Sequence, residues 1–307
     1  MAPRIAVIGS ANTDLITFSD VFPRPGETLF GQNFDLGFGG KGANQAIAAR
    51  LCGAEVVMVA RVGSDLFGEA TINNFKSFGI DTTHVKIIPG VPTGVAPIFV
   101  DPSGQNRIIV VKGANDRLLP ADVDAAAPQL RGVDTIILQF EIPLETVYHA
   151  VRFARANKIR CIVNPAPALP ADLAQLAAAD YFIPNETEAE ILGGHPVRTV
   201  DDAVACAKAL LGKGFRKIVL TLGARGSLLA DASGTVHIPP HVVTAVDSTG
   251  AGDAFIGSLA VFLGEGVPEQ EAIARANRYA ALSTTRVGTQ KSFLKRVDFD
   301  AACRQRA

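Results

Sequence analysis

The chain alternates short, wholly apolar runs with longer stretches whose apolar residues recur every three or four positions. Runs of the first kind are Arg4 to Gly9, Val56 to Val62, Thr135 to Phe140, Arg160 to Asn164, Tyr181 to Pro184 and Lys217 to Leu222. Strands apolar on both faces are covered on both sides, the condition of a parallel sheet held between helical layers. Ala43 to Leu51, Leu144 to Ala156 and Asp201 to Leu211 carry helical patterns between such runs. The alternation predicts an α/β fold: a doubly wound, mostly parallel sheet flanked by helices.

Two stretches interrupt the rhythm. Pro25 to Phe38 and Thr93 to Val111 have β-type content with no helix between, and Asp101-Pro102-Ser103-Gly104 has type I turn chemistry. They predict a small β-sheet lid, formed by residues 13–38 and 92–112, inserted in one domain spanning 1–307. Its strands Gly94 to Val100 and Arg107 to Val111 are apolar on both faces, so a second layer must cover them. Substrate and a partner subunit are the candidates. Pro97 cannot donate a ladder hydrogen bond, so its strand is expected to be an edge or bulged there.

At 307 residues and 48% hydrophobic content the chain can bury a large core. A formal net charge of -1 gives no basic footprint, so nucleic acid is not an expected partner. Met1 to Gly9 holds an apolar run of only Ile5 to Ile8, short for a signal or a membrane span, which leads us to expect a cytoplasmic protein without a membrane segment. Cys52, Cys161, Cys206 and Cys303 form no C-x-x-C pair and suggest neither a zinc site nor a disulfide framework. His237 and His241 are separated by Pro239 and Pro240, which rule out the helix that would align them on a metal.

The chemistry concentrates in Val246-Asp247-Ser248-Thr249-Gly250-Ala251-Gly252-Asp253-Ala254-Phe255. Gly250, Ala251 and Gly252 lack bulk and leave backbone N–H groups open to an anion at a helix start. The helix follows from Phe255, Leu259, Phe262 and Leu263, with Gly264 and Gly266 as stop signals. A carboxylate among such amides repels phosphate, yet it has a use if Asp253 takes the proton of a hydroxyl that attacks the phosphate. The helix N-terminus is expected to favour its ionised form. The segment reads as a phosphoryl-transfer site; a plain glycine turn with an acidic residue in the first helical turn fits the same residues.

A second cluster, Gly37-Phe38-Gly39-Gly40-Lys41-Gly42-Ala43-Asn44, contains a literal G-x-G-x-x-G. The first strand ends far upstream near Gly9, which is the wrong place for a dinucleotide fingerprint, and Gly42 stands where a Walker A loop needs Ser or Thr. Exposed backbone with Lys41 and Asn44 as donors remains, suited to a polyhydroxylated ligand or to a solvated helix start. Gly9-Ser10-Ala11-Asn12-Thr13-Asp14 leaves the first strand at its carboxyl end. If extended, Asn12 and Asp14 point the same way, an amide and a carboxylate suited to vicinal hydroxyls; an Asx turn is the plainer alternative.

Taken in order, Gly9-Ser10-x-Asn12-x-Asp14, Gly39-Gly40-Lys41-Gly42-x-Asn44, Asn185-Glu186-Thr187-Glu188 and Asp247-x-Thr249-Gly250-Ala251-Gly252-Asp253 resemble the ribokinase family of sugar kinases. Asn164-Pro165-Ala166-Pro167 and Thr221-Leu222-Gly223-Ala224-Arg225-Gly226 extend the resemblance over nearly the whole chain. It implies transfer of the γ-phosphoryl of ATP to the 5-hydroxyl of D-ribose. The sugar pocket implied is Asn12, Asp14, Gly40, Lys41, Asn44 and Glu141, with Asp253 as base and the Gly250, Ala251, Gly252 turn as anion hole. ATP would lie across Asn185, Thr221, Gly223, Arg225, Gly226, Gly252 and Asn277, with Mg²⁺ held through water by Asn185 and Glu188.

The resemblance also implies a monovalent cation, K⁺, at Asp247, Thr249, Ser283, Arg286, Gly288 and Ser292, where Thr289 and Lys291 depart from the family's pattern. It implies a homodimer built through the lid. Read without it, Glu186, Glu188 and Glu190 are a solvated helix face. The same chemistry on 2-deoxyribose, a fructose-type sugar or adenosine is the nearest alternative, and a non-catalytic sugar sensor a remote one.

Overall fold

The computed structural model describes residues 2–102 and 105–304. In chain order its strands are β1 (Arg4–Ile8), β2 (Asn12–Phe18), β3 (Asn33–Gly39), β4 (Glu55–Gly63), β5 (Asp81–Ile88), β6 (Gly94–Val100) and β7 (Asn106–Ile108). They continue as β8 (Thr135–Leu138), β9 (Arg160–Val163), β10 (Tyr181–Phe182), β11 (Lys217–Thr221), β12 (Ser227–Asp231) and β13 (Gly234–Ile238). The helices are α1 (Lys41–Leu51), α2 (Leu66–Ser77), α3 (Pro120–Leu130), α4 (Leu144–Ala156) and α5 (Leu173–Leu176). After these come α6 (Glu186–Gly193), α7 (Val200–Gly212), α8 (Ala251–Gly264), α9 (Glu269–Ser283) and α10 (Arg296–Arg304).

The main sheet runs β13-β12-β11-β10-β9-β8-β1-β4-β5, parallel from β11 to β5, with β12 and β13 as an antiparallel margin. Its apolar runs are buried on both faces, as their composition requires. In β1, Ile5 and Val7 join the core under α1, α8 and α9, whereas Ala6 and Ile8 join the core under α3, α4 and α7. The predicted doubly wound α/β architecture is therefore the observed one.

In a second sheet, β3-β2-β6-β7, the strands β3, β6 and β7 come from the two stretches that broke the helical rhythm, and β2, upstream of both, joins them. Of the expected 101–104 turn, Ser103 and Gly104 lie outside the described residues. Pro97 is not at an edge. β6 pairs with β2 on one side and β7 on the other, in one unbroken register from Val95 opposite Val111 to Val100 opposite Asn106. The missing donor costs a single bond: Ile109 N–H donates to the Pro97 carbonyl at 3.1 Å, and no N–H returns. Ile108 to Val111 stay 46–60% exposed, so the second layer anticipated for this face does not come from the chain's own core.

Helix α8 is buried from Asp253 to Leu263 and lies directly on α1. Gly257 permits that approach, since a Cβ on it would stand 2.6 Å from the Gln45 carbonyl oxygen and 2.8 Å from Ala48 Cβ. We expect Gly257→Ala to push the two helices apart and lower stability by about 1–3 kcal/mol. A denaturant midpoint equal to that of the native chain would refute this.

Candidate active site

The parallel strands deliver several of the predicted residues, and polar neighbours of theirs, to one edge of the sheet. Ser10 and Asn12 follow β1, Gln139 and Glu141 follow β8, Asn164 follows β9, Asn185 follows β10 and Gly223 follows β11. Strand order reverses between β1 and β8, the place where open α/β sheets bind ligands.

Helix α8 starts here. Its cap, Gly250, is left-handed at φ 77, and a Cβ would lie 2.4 Å from Thr289 Cγ2. Ala254 N–H makes the first regular bond, onto the Gly250 carbonyl at 2.8 Å, while Ala251 N–H turns back onto Ser248 O at 3.2 Å. The N–H groups of Gly252 and Asp253 thus precede the helical ladder, and the space beside Gly252 is open. Asp253, only 7% exposed, lines a cavity of about 180 Å³ with Lys41, Asn164, Asn185 and Glu188. Burial pushes its carboxyl above the ordinary range despite the opposing effects of Lys41, Asn44 and Gln45. The ionising pull expected of the helix start is therefore outweighed by desolvation.

Around this carboxyl stands a second charged group. Glu141 Oε2 accepts from the Lys41 backbone N–H at 2.9 Å and from Ser10 Oγ at 2.6 Å, closing the N-terminus of α1, whose own first turn has no acid. The Lys41 ammonium is lowered by burial but raised by Asp253, Glu141 and Glu188, and the net shift is upward. Asp14 is pushed up to about 6 by burial, then by Glu141 and Asp253. Asn12 and Asp14 share a face of β2, as expected for an extended segment. Asn12 Oδ1 accepts from Asn115 Nδ2 at 2.7 Å, which turns the Asn12 NH₂ away from Asn115.

A larger cleft of about 570 Å³ adjoins the cavity, of a size that holds a small-molecule ligand. Asn185, Thr221, Gly223, Gly226, Gly252 and Asn277 all line it. Arg225 does not: its guanidinium pairs with Glu186 and with the Arg198 carbonyl, pinning the 223–226 turn to α6. Asn185 caps α6 and exchanges bonds with Glu188, each backbone N–H donating to the other's side chain at 2.8–2.9 Å. Glu188 is 6% exposed and faces the cavity, so the solvated-face reading fails at this position. Burial raises its carboxyl above the ordinary range, although the Asn185 N–H and Lys41 oppose it.

The predicted cation residues meet in part. Asp247 joins two separate turns, accepting from Thr249 N–H and Gly288 N–H, both at 2.9 Å. Ser283 and Ser292 donate their hydroxyls to carbonyls three residues earlier, and Arg286 is exposed. No group of three or more acidic, His or Cys side chains among the described residues could cage a metal alone. No helix among them is long and apolar enough to cross a membrane.

Several polar residues at the site escaped the sequence reading. Gln45, Asn115 and Gln290 are buried and bonded to predicted site residues, and buried Gln139 bonds to Gln45. For Gln45 and Gln139 the only signal was polarity within a helical pattern and an apolar run; Asn115 and Gln290 lie in short turns that gave none.

The fold and its carboxylate at a helix N-terminus define a phosphoryl-transfer enzyme. The chain belongs to the pfkB family of carbohydrate kinases, whose description matches residues 2–296. It is 46% identical over 290 residues to a deoxyribokinase of Salmonella typhi, covering 94% of this chain and 95% of that protein. With a ribokinase of Bacillus subtilis it shares 42% identity over 286 residues, 93% and 94% of the two chains. A structure of Arabidopsis thaliana ribokinase complexed with ribose and ATP superimposes with a TM-score of 0.92 at 28% identity, covering 98% of each chain.

If Asp14 is the acceptor of a sugar hydroxyl, its ionised form, which accepts two or more hydrogens, binds better than the protonated one. With its pKa at about 6, the group is protonated below that pH and ionised above it. Sugar affinity is expected to rise from about pH 5 to about pH 7 with a midpoint near that value. Asp14→Asn is expected to flatten this profile in a calorimetric titration; an unchanged pH dependence in the variant would assign it elsewhere.

Proposed function

We propose that this kinase is an ATP-dependent ribokinase, forming D-ribose 5-phosphate and ADP. The observation that carries the reading is the donor amide of Asn12 beside the acceptor carboxylate of Asp14 on one face of β2, the complement of a vicinal diol. Ribose offers such a diol at its 2- and 3-hydroxyls. The deoxyribokinase relative supports 2-deoxyribose as a second reading, in which one of these partners would go unused.

In this mechanism Asp253 holds the 5-hydroxyl and takes its proton as the oxygen attacks the γ-phosphorus. The N–H groups of Gly252 and Asp253 receive the charge of the transferring phosphoryl, and the Lys41 ammonium offsets it. Asn185, Thr221, Gly223, Gly226 and Asn277 bind the nucleotide, which Arg225 supports by holding the turn. The four-stranded sheet serves as a lid within one kinase domain, and its Asp35 reaches Lys291 at 3.5 Å, tying it to the C-terminal turn. Closure there excludes the water that would otherwise hydrolyse ATP.

The residues present fit a hydrated Mg²⁺. Glu188 is a buried carboxylate beside Asn185 at the junction of the two cavities, and they would hold the ion through water. Mg²⁺ supplies charge neutralisation of the phosphates. Thr249, Ser283, Arg286, Gly288 and Ser292, with the turns joined by Asp247, would hold K⁺, several of them through backbone oxygen, and the ion would help order the anion hole. A second copy of the chain, covering Ile108 to Val111, accounts for the bare lid face, and sedimentation at micromolar concentration tests the dimer.

The deciding experiment is ADP release with D-ribose, 2-deoxyribose, fructose or adenosine, each in K⁺ and in Na⁺. The fastest turnover is expected on ribose in K⁺. Asp253→Asn should lose about 10²–10⁴-fold in kcat with the fold retained. Near-native turnover in that variant would remove the base assignment, and a clear preference for 2-deoxyribose would move the substrate to the second reading.

A further inference from the structure

The carboxylate of Asp253 is held by two side-chain amides. Gln45 Nε2 donates to its Oδ1 and Asn44 Nδ2 to its Oδ2, both at 2.9 Å. Each amide is held from behind through its own oxygen. Gln139 Nε2 donates to Gln45 Oε1 at 2.7 Å, and Gln290 Nε2 donates to Asn44 Oδ1 at 3.0 Å. Gln290 Oε1 accepts in turn from Asn74 Nδ2 at 3.0 Å. The Gln45 NH₂ also reaches Asn164 Oδ1, at 3.2 Å.

An amide side chain has nearly the same shape either way round, so its orientation is set by what its two ends meet. In this cluster Gln45, Asn44 and Gln290 each accept on the far side and donate toward Asp253, while Gln139 donates forward and its own Oε1 is buried without a hydrogen-bond partner. Were Asn44 to turn over, its oxygen would face the carboxylate and its NH₂ would face that of Gln290, two lost bonds in the interior. Gln45 and Gln139 are fully buried, so no bulk water can repair such an error.

We propose that Gln45 and Gln290 are positioning residues for phosphoryl transfer: the chains Gln139–Gln45 and Asn74–Gln290–Asn44 hold the Asp253 carboxylate in the rotation that faces the cavity. The proposal rests on Asp253 being the base. Gln290 belongs to the same turn as Gly288, which Asp247 binds, so the order of that turn reaches Asp253 through two side-chain hydrogen bonds.

The test replaces each glutamine by the unbranched apolar methionine. For Gln45→Met, which removes a donor from Asp253 itself, kcat is expected to fall about 100-fold; for Gln290→Met, one bond further away, about 10-fold. KM for ATP should stay within about twofold in both. Lys41, Glu141, Asp14 and Glu188 face Asp253 and are retained in both variants. Loss of a donor to the ionised form moves the acid limb of the kcat profile to higher pH, further in Gln45→Met. A purely structural role would lower the unfolding midpoint and leave that limb where it was, overturning the proposal. Should Gln45→Met fail to fold, Gln290→Met decides by the same limb. If Asp253→Asn is inactive while both methionine variants keep native kcat, the positioning role fails alone; if Asp253→Asn turns over normally, it falls with the base.

Discussion

Everything at the site depends on the close crossing of α8 on α1. The crossing puts the first turn of α8, which carries Asp253, against Asn44 and Gln45 in the first turns of α1. A third helix, α6, begins at the same cavity with Asn185. Three helix N-termini therefore point their partial positive charge into one small volume. Two are already occupied: Glu141 closes α1, and Glu188 closes α6 in a capping box with Asn185. The start of α8 has no side-chain cap, so it is the one left open to an incoming anion.

The same convergence explains how so much acid is tolerated. Glu141, Glu188 and Asp253 gather around one ammonium, that of Lys41, and Asp14 stands within reach of Glu141 and Asp253. Crowding and burial drive the carboxyls of Asp14, Glu188 and Asp253 upward, which in a purely structural setting would be a cost without return. At a site for proton removal the raised value is useful, because a base with a pKa nearer the working pH takes a proton more readily. Amide donors then set a limit on the rise at Asp253 and fix its direction.

How far the chain could be read without coordinates follows from which signals are local. The parallel strands other than β5, and α4, are distinct enough to be drawn close to their true bounds, and the glycine turn before Asp253 announces itself by composition. The lid strands were visible as a break in rhythm, but Pro97 misled because a rule about ladder donors says nothing about how many bonds a sheet can forgo. Arg225 stands inside a matching motif and still points away, drawn off by Glu186 and the Arg198 carbonyl. Gln139 and Gln290 were invisible for a different reason. Each lies far along the chain from the amide it supports, and only the folded topology brings 139 to 45 or 290 to 44.

Long-range polar contacts of this kind also give the sugar side its directionality. Ala11 N–H donates to Asn115 Oδ1 at 2.9 Å, which fixes the Asn115 amide, and its NH₂ then takes the oxygen of Asn12. The direction of the Asn12 amide at β2, on the face that also carries Asp14, is thus set by a residue that lies beyond β7 in the chain. The same device acts twice: a buried amide, oriented by backbone or by another amide, dictates which edge of its neighbour faces the ligand. One amide orients Asn12, and the others orient the carboxylate of Asp253. The two side chains on which the proposed recognition and chemistry rest are therefore both directed from behind, by groups buried in the protein interior.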